Sequence, residues 1–109
     1  MATKSFRKGG TNIFFDLGFS PAEAEELLAK SVLIEAIADT IGRRELTQAQ
    51  AAKLCSTDQP TLSKVLRGRM ESVTIDRLAA WLTALGRNVE IRVRPYRMGA
   101  KIGQLTAAR

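Results

Sequence analysis

Gln59, Thr61, Ser63 and Lys64 lie in one short polar stretch, closely followed by Arg67 and Arg69. These side chains suit contacts with nucleic acid. A carboxamide donates and accepts together, so Gln59 can pair bidentately with adenine, and the Lys64 ammonium can donate to guanine or to a phosphate. The shorter hydroxyl groups of Thr61 and Ser63 suit phosphate oxygens or contact with a thymine methyl. Arg67 and Arg69 flank Gly68 and are candidates to clamp the phosphate backbone.

That chemistry needs a scaffold, and the flanking residues supply one. Thr47 reads as the N-cap of a short helix running from Gln48 to about Leu54, and Asp58 as the cap of a second that ends near Leu66. Pro60 falls in the first turn of that second helix, where a missing N–H costs nothing. Ala52, Cys55, Leu62, Val65 and Leu66 fall where two crossing helices would touch, and Ala52 must be small because the crossing is close. Two short helices joined by a tight turn, with polar and basic residues facing out from the second, form a helix-turn-helix, which lays its second helix in the major groove. The competing reading is a helical hairpin that never touches DNA.

Composition narrows the class. The chain has 109 residues, the size of one small domain, and 45% of them are hydrophobic, too many for a wholly disordered chain. No apolar run approaches the roughly 18–20 residues that cross a bilayer, and no signal sequence follows Met1, so a cytoplasmic protein without a membrane partner is expected. Cys55 is the single cysteine and histidine is absent, which excludes an internal disulfide and argues against a zinc site or histidine-based catalysis. With no carboxylate dyad or phosphate loop either, neither an enzyme nor a cofactor is expected. Cys55 itself reads as a buried apolar residue in preference to a reactive thiol.

The net charge of +6 is unevenly spread. Residues 1–12 carry three basic groups and no acid, whereas residues 13–42 carry one basic and six acidic groups. From residue 43 onward basic groups again prevail, six against two up to residue 70 and seven against three beyond it. A polyanion is drawn to one side only of such a molecule. The acidic block is either a solvated face or a surface for a basic partner.

Before the helical pair, residues 1–12 read as a disordered basic arm, and Ile13–Phe19 as a helical turn packed on the body or a sticky segment awaiting a partner. Ser20, Pro21 and Glu23 announce a capped helix with Leu27, Ile34, Ile37, Ala38 and Ile41 at helical spacing, ending at Gly42. Glu35 and Asp39 are a like-charged pair on it, and Arg43 and Arg44 add charge for DNA or complement the helix end. A last helix begins after Thr74, runs from Ile75 to Leu85 and buries Trp81, with Gly86 as its breaker. Val89, Ile91 and Val93 then alternate with Glu90, Arg92 and Arg94 up to Pro95, the pattern of a β-strand. Residues 96–109 are a basic tail.

The Thr47–Arg69 stretch resembles the Xre/Cro-like helix-turn-helix family of repressors, through Thr47-Gln48, Ala52, Gln59-Pro60-Thr61-Leu62-Ser63 and the Arg67-Gly68-Arg69 turn. The likeness extends to Asn12–Phe19, to the acidic helix and to Val89–Val93, and over about residues 12–95 the chain is similar to HigA-type antitoxins. The resemblance implies a mainly α, lambda-repressor-like bundle of four to five helices with one C-terminal strand, occupying residues 13–95. Gln48 resembles the family glutamine that anchors a phosphate. Ser56 departs from the family pattern: it stands where the turn usually has glycine, and a left-handed backbone there costs about 1–2 kcal/mol.

A lone strand needs a partner. Two copies of Val89, Glu90, Ile91, Arg92 and Val93 can pair antiparallel about Ile91, which sets Glu90 against Arg92 of the other copy. The reading is therefore a homodimeric, sequence-specific repressor of an inverted-repeat operator. The resemblance adds an antitoxin role, with the acidic helix and Ile13–Phe19 meeting a basic RNase-type toxin of the RelE/HigB kind. The alternative is a stand-alone Xre-family regulator with no toxin partner. Non-specific RNA binding through the tails has less behind it, since no aromatic residues interleave with the basic ones.

Overall fold

The computed structural model describes residues 7–8 and 11–108. Much of the expected N-terminal arm, residues 1–6 and 9–10, lies outside them. Arg7–Lys8 (β1) pairs antiparallel with Thr11–Asn12 (β2), and five α-helices come after: Ile13–Asp16 (α1), Pro21–Arg43 (α2), Gln48–Leu54 (α3), Gln59–Leu66 (α4) and Ile75–Ala84 (α5). A 3-10 turn, Met70–Ser72, joins α4 to α5. No helix among the described residues is long and apolar enough to cross a membrane.

Asn12, grouped with the disordered arm on sequence, belongs to the folded body. It is buried, its Oδ1 accepts the N–H of Phe14 at 2.9 Å, and its Nδ2 donates to the carbonyl of Ala24 at 2.8 Å. One side chain thus caps α1 and ties it to α2. Ser20 and Glu23 form the expected capping box on α2.

Each described helix ends in the same way, with two backbone bonds closing over a residue of left-handed conformation. Gly18, Gly68 and Gly86 fill that position after α1, α4 and α5, but Glu45 and Ser56 fill it after α2 and α3, at φ of 55° and 56°. Gly42 therefore does not end α2, contrary to the expectation from its sequence. The helix continues to Arg43 because Leu46, two residues past the cap, packs against the core while its N–H bonds the carbonyl of Ile41 at 3.0 Å.

The main core joins Ile34, Ile37 and Ile41 of α2 to Ala51, Ala52 and Cys55, to Leu62 and Val65 of α4, and to Leu78, Trp81, Leu82 and Leu85. Ala38, expected on the apolar face, is exposed. A smaller cluster holds Phe14, Ala24 and Leu28, and Met70 packs against both clusters. The helical turn at Ile13–Phe19 thus packs on the body through Phe14, which meets Phe19 edge to face at 6.3 Å. Ile13, Phe15, Leu17 and Phe19 remain exposed.

The expected strand at 89–93 is not formed within the chain. Residues 87–97 have no regular secondary structure. Val89 touches the core, but Ile91 is 83% and Val93 94% exposed. A strand exists by hydrogen bonding to a neighbour, and the described chain places none beside this segment. Glu90 and Arg92, two residues apart, instead pair with each other at 2.8 Å.

Candidate nucleic-acid interface

The α3–turn–α4 unit is built from its caps. Thr47 Oγ1 accepts the N–H of Gln50 at 3.1 Å, and Gln50 Oε1 accepts that of Thr47 at 2.8 Å. The sequence signal for this reciprocal box is Thr-x-x-Gln, in which Gln50 counts as much as Thr47. With Gln50 occupied, Gln48 remains exposed in the first turn of α3 with no hydrogen-bond partner among the described residues. Ala51 and Ala52 are both buried against α4, as a close crossing requires.

Asp58 caps α4 by accepting both the N–H of Thr61 at 2.7 Å and its hydroxyl at 2.9 Å. These two bonds, the backbone one foremost, hold the Asp58 carboxyl below its ordinary pKa. They also occupy Thr61. Its hydroxyl hydrogen belongs to the cap and its side chain is half-buried, so it stands apart from the other proposed base-contacting residues.

The rest of α4 divides into two faces. Leu62 and Val65 are fully shut from solvent. Opposite them, Gln59, Ser63 and Arg67 recur at steps of four and so lie in one column, with Pro60 and Lys64 in the next. Gln59, Lys64 and Arg67 are exposed and Ser63 half-buried, and none is tied up in a hydrogen bond or ion pair among the described residues. Gly68 then turns the chain at φ of 100°, placing exposed Arg69 ahead of the 3-10 turn.

Lys30, which carries no motif in the sequence, supports that turn from below. It is buried, donates to the carbonyl of Met70 at 3.1 Å and lies 3.8 Å from Glu26. Its sole sequence signal is being the lone base in an acidic block. Cys55 is buried with its Sγ 3.7 Å from the Trp81 carbonyl, and burial pushes its thiol pKa up, away from the thiolate that a reactive cysteine needs.

Arg43 and Arg44 both serve the fold. Arg43 pairs with Asp39 at 2.9 Å, and Arg44 Nη1 donates to the carbonyl of Leu85 at 2.8 Å. In return Arg87 Nη1 reaches Thr40 Oγ1 at 2.9 Å, while that hydroxyl donates to the carbonyl of Ala36 at 2.7 Å. The ends of α2 and α5 are thereby cross-tied.

Comparison with known proteins decides the family. A helix-turn-helix domain family matches residues 13–94. A solved structure whose protein carries the provisional name of an XRE-family transcriptional regulator shares 30% identity and superposes with a TM-score of 0.71, over 80% of this chain and 98% of that one. The chain belongs to the Xre-like helix-turn-helix family. No curated protein matches the chain in sequence. Within this Xre-like domain, α3 and α4 are the helix-turn-helix pair, and the left-handed Ser56 is its turn residue.

Proposed function

We propose that this Xre-like protein is a sequence-specific DNA-binding transcriptional regulator that acts as a homodimer on an inverted repeat. The observation that carries this reading is the outward face of α4: Gln59, Ser63, Lys64 and Arg67 make no side-chain hydrogen bond or ion pair among the described residues, while Leu62 and Val65 lock the opposite face. Gln59 and Lys64 read base edges, with Ser63 beside them. Gln48, Arg67 and Arg69 hold phosphates and set the register. Thr61 contributes through the cap and at most its methyl group. A gel-shift assay on the protein's own promoter at two salt concentrations tests the reading. Binding that competes with an unrelated duplex equally well at both would refute sequence specificity.

Dimerisation through residues 89–93 is the second part. Ile91 and Val93 are exposed in the single chain and the backbone there lacks a neighbour among the described residues, which suits antiparallel pairing with a second copy. Two-fold symmetry then sets the two copies of α4 about 34 Å apart, one turn of duplex.

The same protein is proposed to neutralise a basic RNase-type toxin of the RelE/HigB kind, as an antitoxin that represses its own operon. Support comes from exposed Ile13, Phe15, Leu17 and Phe19 beside the acidic α2, an apolar patch next to negative charge. Co-expression with the product of the neighbouring gene tests this; without a stable complex, a stand-alone regulator remains.

A further inference from the structure

We propose that Arg44 and Arg87 are positioning residues that set which half-site spacing the dimer accepts. The inference rests on the dimer reading above and adds to it the device that orients the two halves. Arg44 stands three residues before Thr47, the cap of α3, and Arg87 stands two residues before Val89, where the dimer segment begins. The entrance to the DNA-facing unit and the exit toward the second copy therefore meet at one patch.

The geometry there is reciprocal. Arg44, from the end of α2, donates to the last turn of α5 at Leu85. Arg87, just past α5, donates to Thr40 in the last turn of α2. Arg44 Nη1 also lies 4.0 Å from where a Cβ on Gly86 would stand, so its guanidinium covers the turn from which the segment departs. That turn is a left-handed glycine at φ of 97°, a pivot about which residues 87–93 could swivel if they were not held. The Thr40 hydroxyl is itself fixed by its bond to Ala36 one turn back, so Arg87 grips a group that cannot rotate away.

In a symmetric dimer the separation of the two α4 helices depends on the angle at which residues 89–93 leave each body. Duplex half-sites move by about 3.4 Å and rotate about 34° for each base pair inserted between them. A dimer with a fixed exit angle accepts one spacing, and a dimer with a loose one accepts several. The two arginine bonds add to the backbone bond from Arg87 to the Leu82 carbonyl and to the packing of Val89 on the core, and together these hold that angle.

The test uses the full chain. A half-site pair is selected from random duplexes with the wild-type protein, and affinity is then measured with the central spacer lengthened or shortened by one or two base pairs. Wild type is expected to lose about tenfold or more in affinity at the wrong spacings. Thr40→Val and Arg44→Met are expected to reduce that preference to about threefold or less, with the dimer constant and salt dependence unchanged. Thr40→Ser and Arg87→Lys, which keep an acceptor and a donor, are expected to retain it. Equal loss of affinity on every spacer, or full retention of the preference in Thr40→Val and Arg44→Met, would overturn the inference while leaving the dimer standing. A wild-type protein that sediments as a monomer would overturn both, and a wild-type dimer that ignores spacing would overturn the inference alone.

Discussion

The backbone N–H of Thr57 reaches back over Ser56 to the carbonyl of Ala52 at 3.0 Å, closing α3 with a serine where a glycine would be at ease. The bond turns the chain sharply enough for Asp58 to start α4, and the left-handed serine absorbs the strain. Relief of that strain is worth about 1–2 kcal/mol, against about 0.5–1 kcal/mol for the greater freedom of glycine when unfolded. Ser56→Gly is therefore expected to raise the midpoint of thermal unfolding by a few degrees, and Ser56→Val to lower it, as read by circular dichroism.

The roles proposed for Gln59 and Arg69 separate base reading from phosphate holding. Gln59→Ala is expected to relax preference at one position of each half-site, costing about 1–3 kcal/mol on the preferred base, with the salt dependence unaltered. Arg69→Ala is expected to weaken binding to every duplex alike and to reduce the salt slope by about one. Affinities measured across a set of single-base operator variants, at several salt concentrations, distinguish the two patterns.

Two carboxyls at helix N-termini, Asp58 as the cap of α4 and Asp76 in the first turn of α5, give the fold an acid limit. Asp58 is held below its ordinary value of 3.8 by its bonds from Thr61, and Asp76 likewise, chiefly by the Thr74 hydroxyl. A carboxyl with a lowered folded pKa stabilises above the unfolded value and loses that contribution as pH falls through the folded one. Thermal stability is expected to fall as pH drops below about 4, and Asp58→Asn, which still caps but does not titrate, is expected to flatten part of that fall.

Glu35 holds one carboxylate oxygen out of solvent with no hydrogen-bond partner among the described residues, one turn before the negative Asp39. Both features oppose folding, the like-charged pair by about 0.2–0.5 kcal/mol. Glu35→Gln is expected to raise the denaturation midpoint without changing DNA affinity. A lowered midpoint would mean that the charge is needed where it stands.

Ile91→Pro is expected to leave each subunit folded and to convert the protein to a monomer in sedimentation, because proline removes a ladder N–H at the centre of the proposed pairing. A dimer that survives this change must be held by another surface.

The parts of this structure legible in its sequence are those whose partners are close by. Thr47, Asp58 and Thr74 announce the starts of α3, α4 and α5 because a cap and the N–H that it accepts are three residues apart. Ser56 is readable as a strained turn through the family resemblance, which has glycine at that position. Thr61 is ambiguous because its type suits both a base contact and a cap, and the nearby Asp58 decides between them. Lys30, Arg44 and Arg87 are opaque because each meets its partner forty or more residues away. Two of those partners are backbone carbonyls, which leave no mark in a sequence. The alternation at 89–93 is legible as a pattern, but a strand also needs a neighbour, and the described residues of the single chain do not contain one.

Met70 is shared property of two hydrophobic clusters, one under α1 and one under the helix-turn-helix. It also lies next to Arg69 and lends its carbonyl to Lys30. Amide protons in α1 and in the Met70–Ser72 turn should therefore exchange with solvent through the same opening event, because neither region can come loose without withdrawing the other's packing. A partner gripping the exposed apolar residues around α1 would slow that opening, and so hold steady Arg69, the proposed phosphate contact, without touching it.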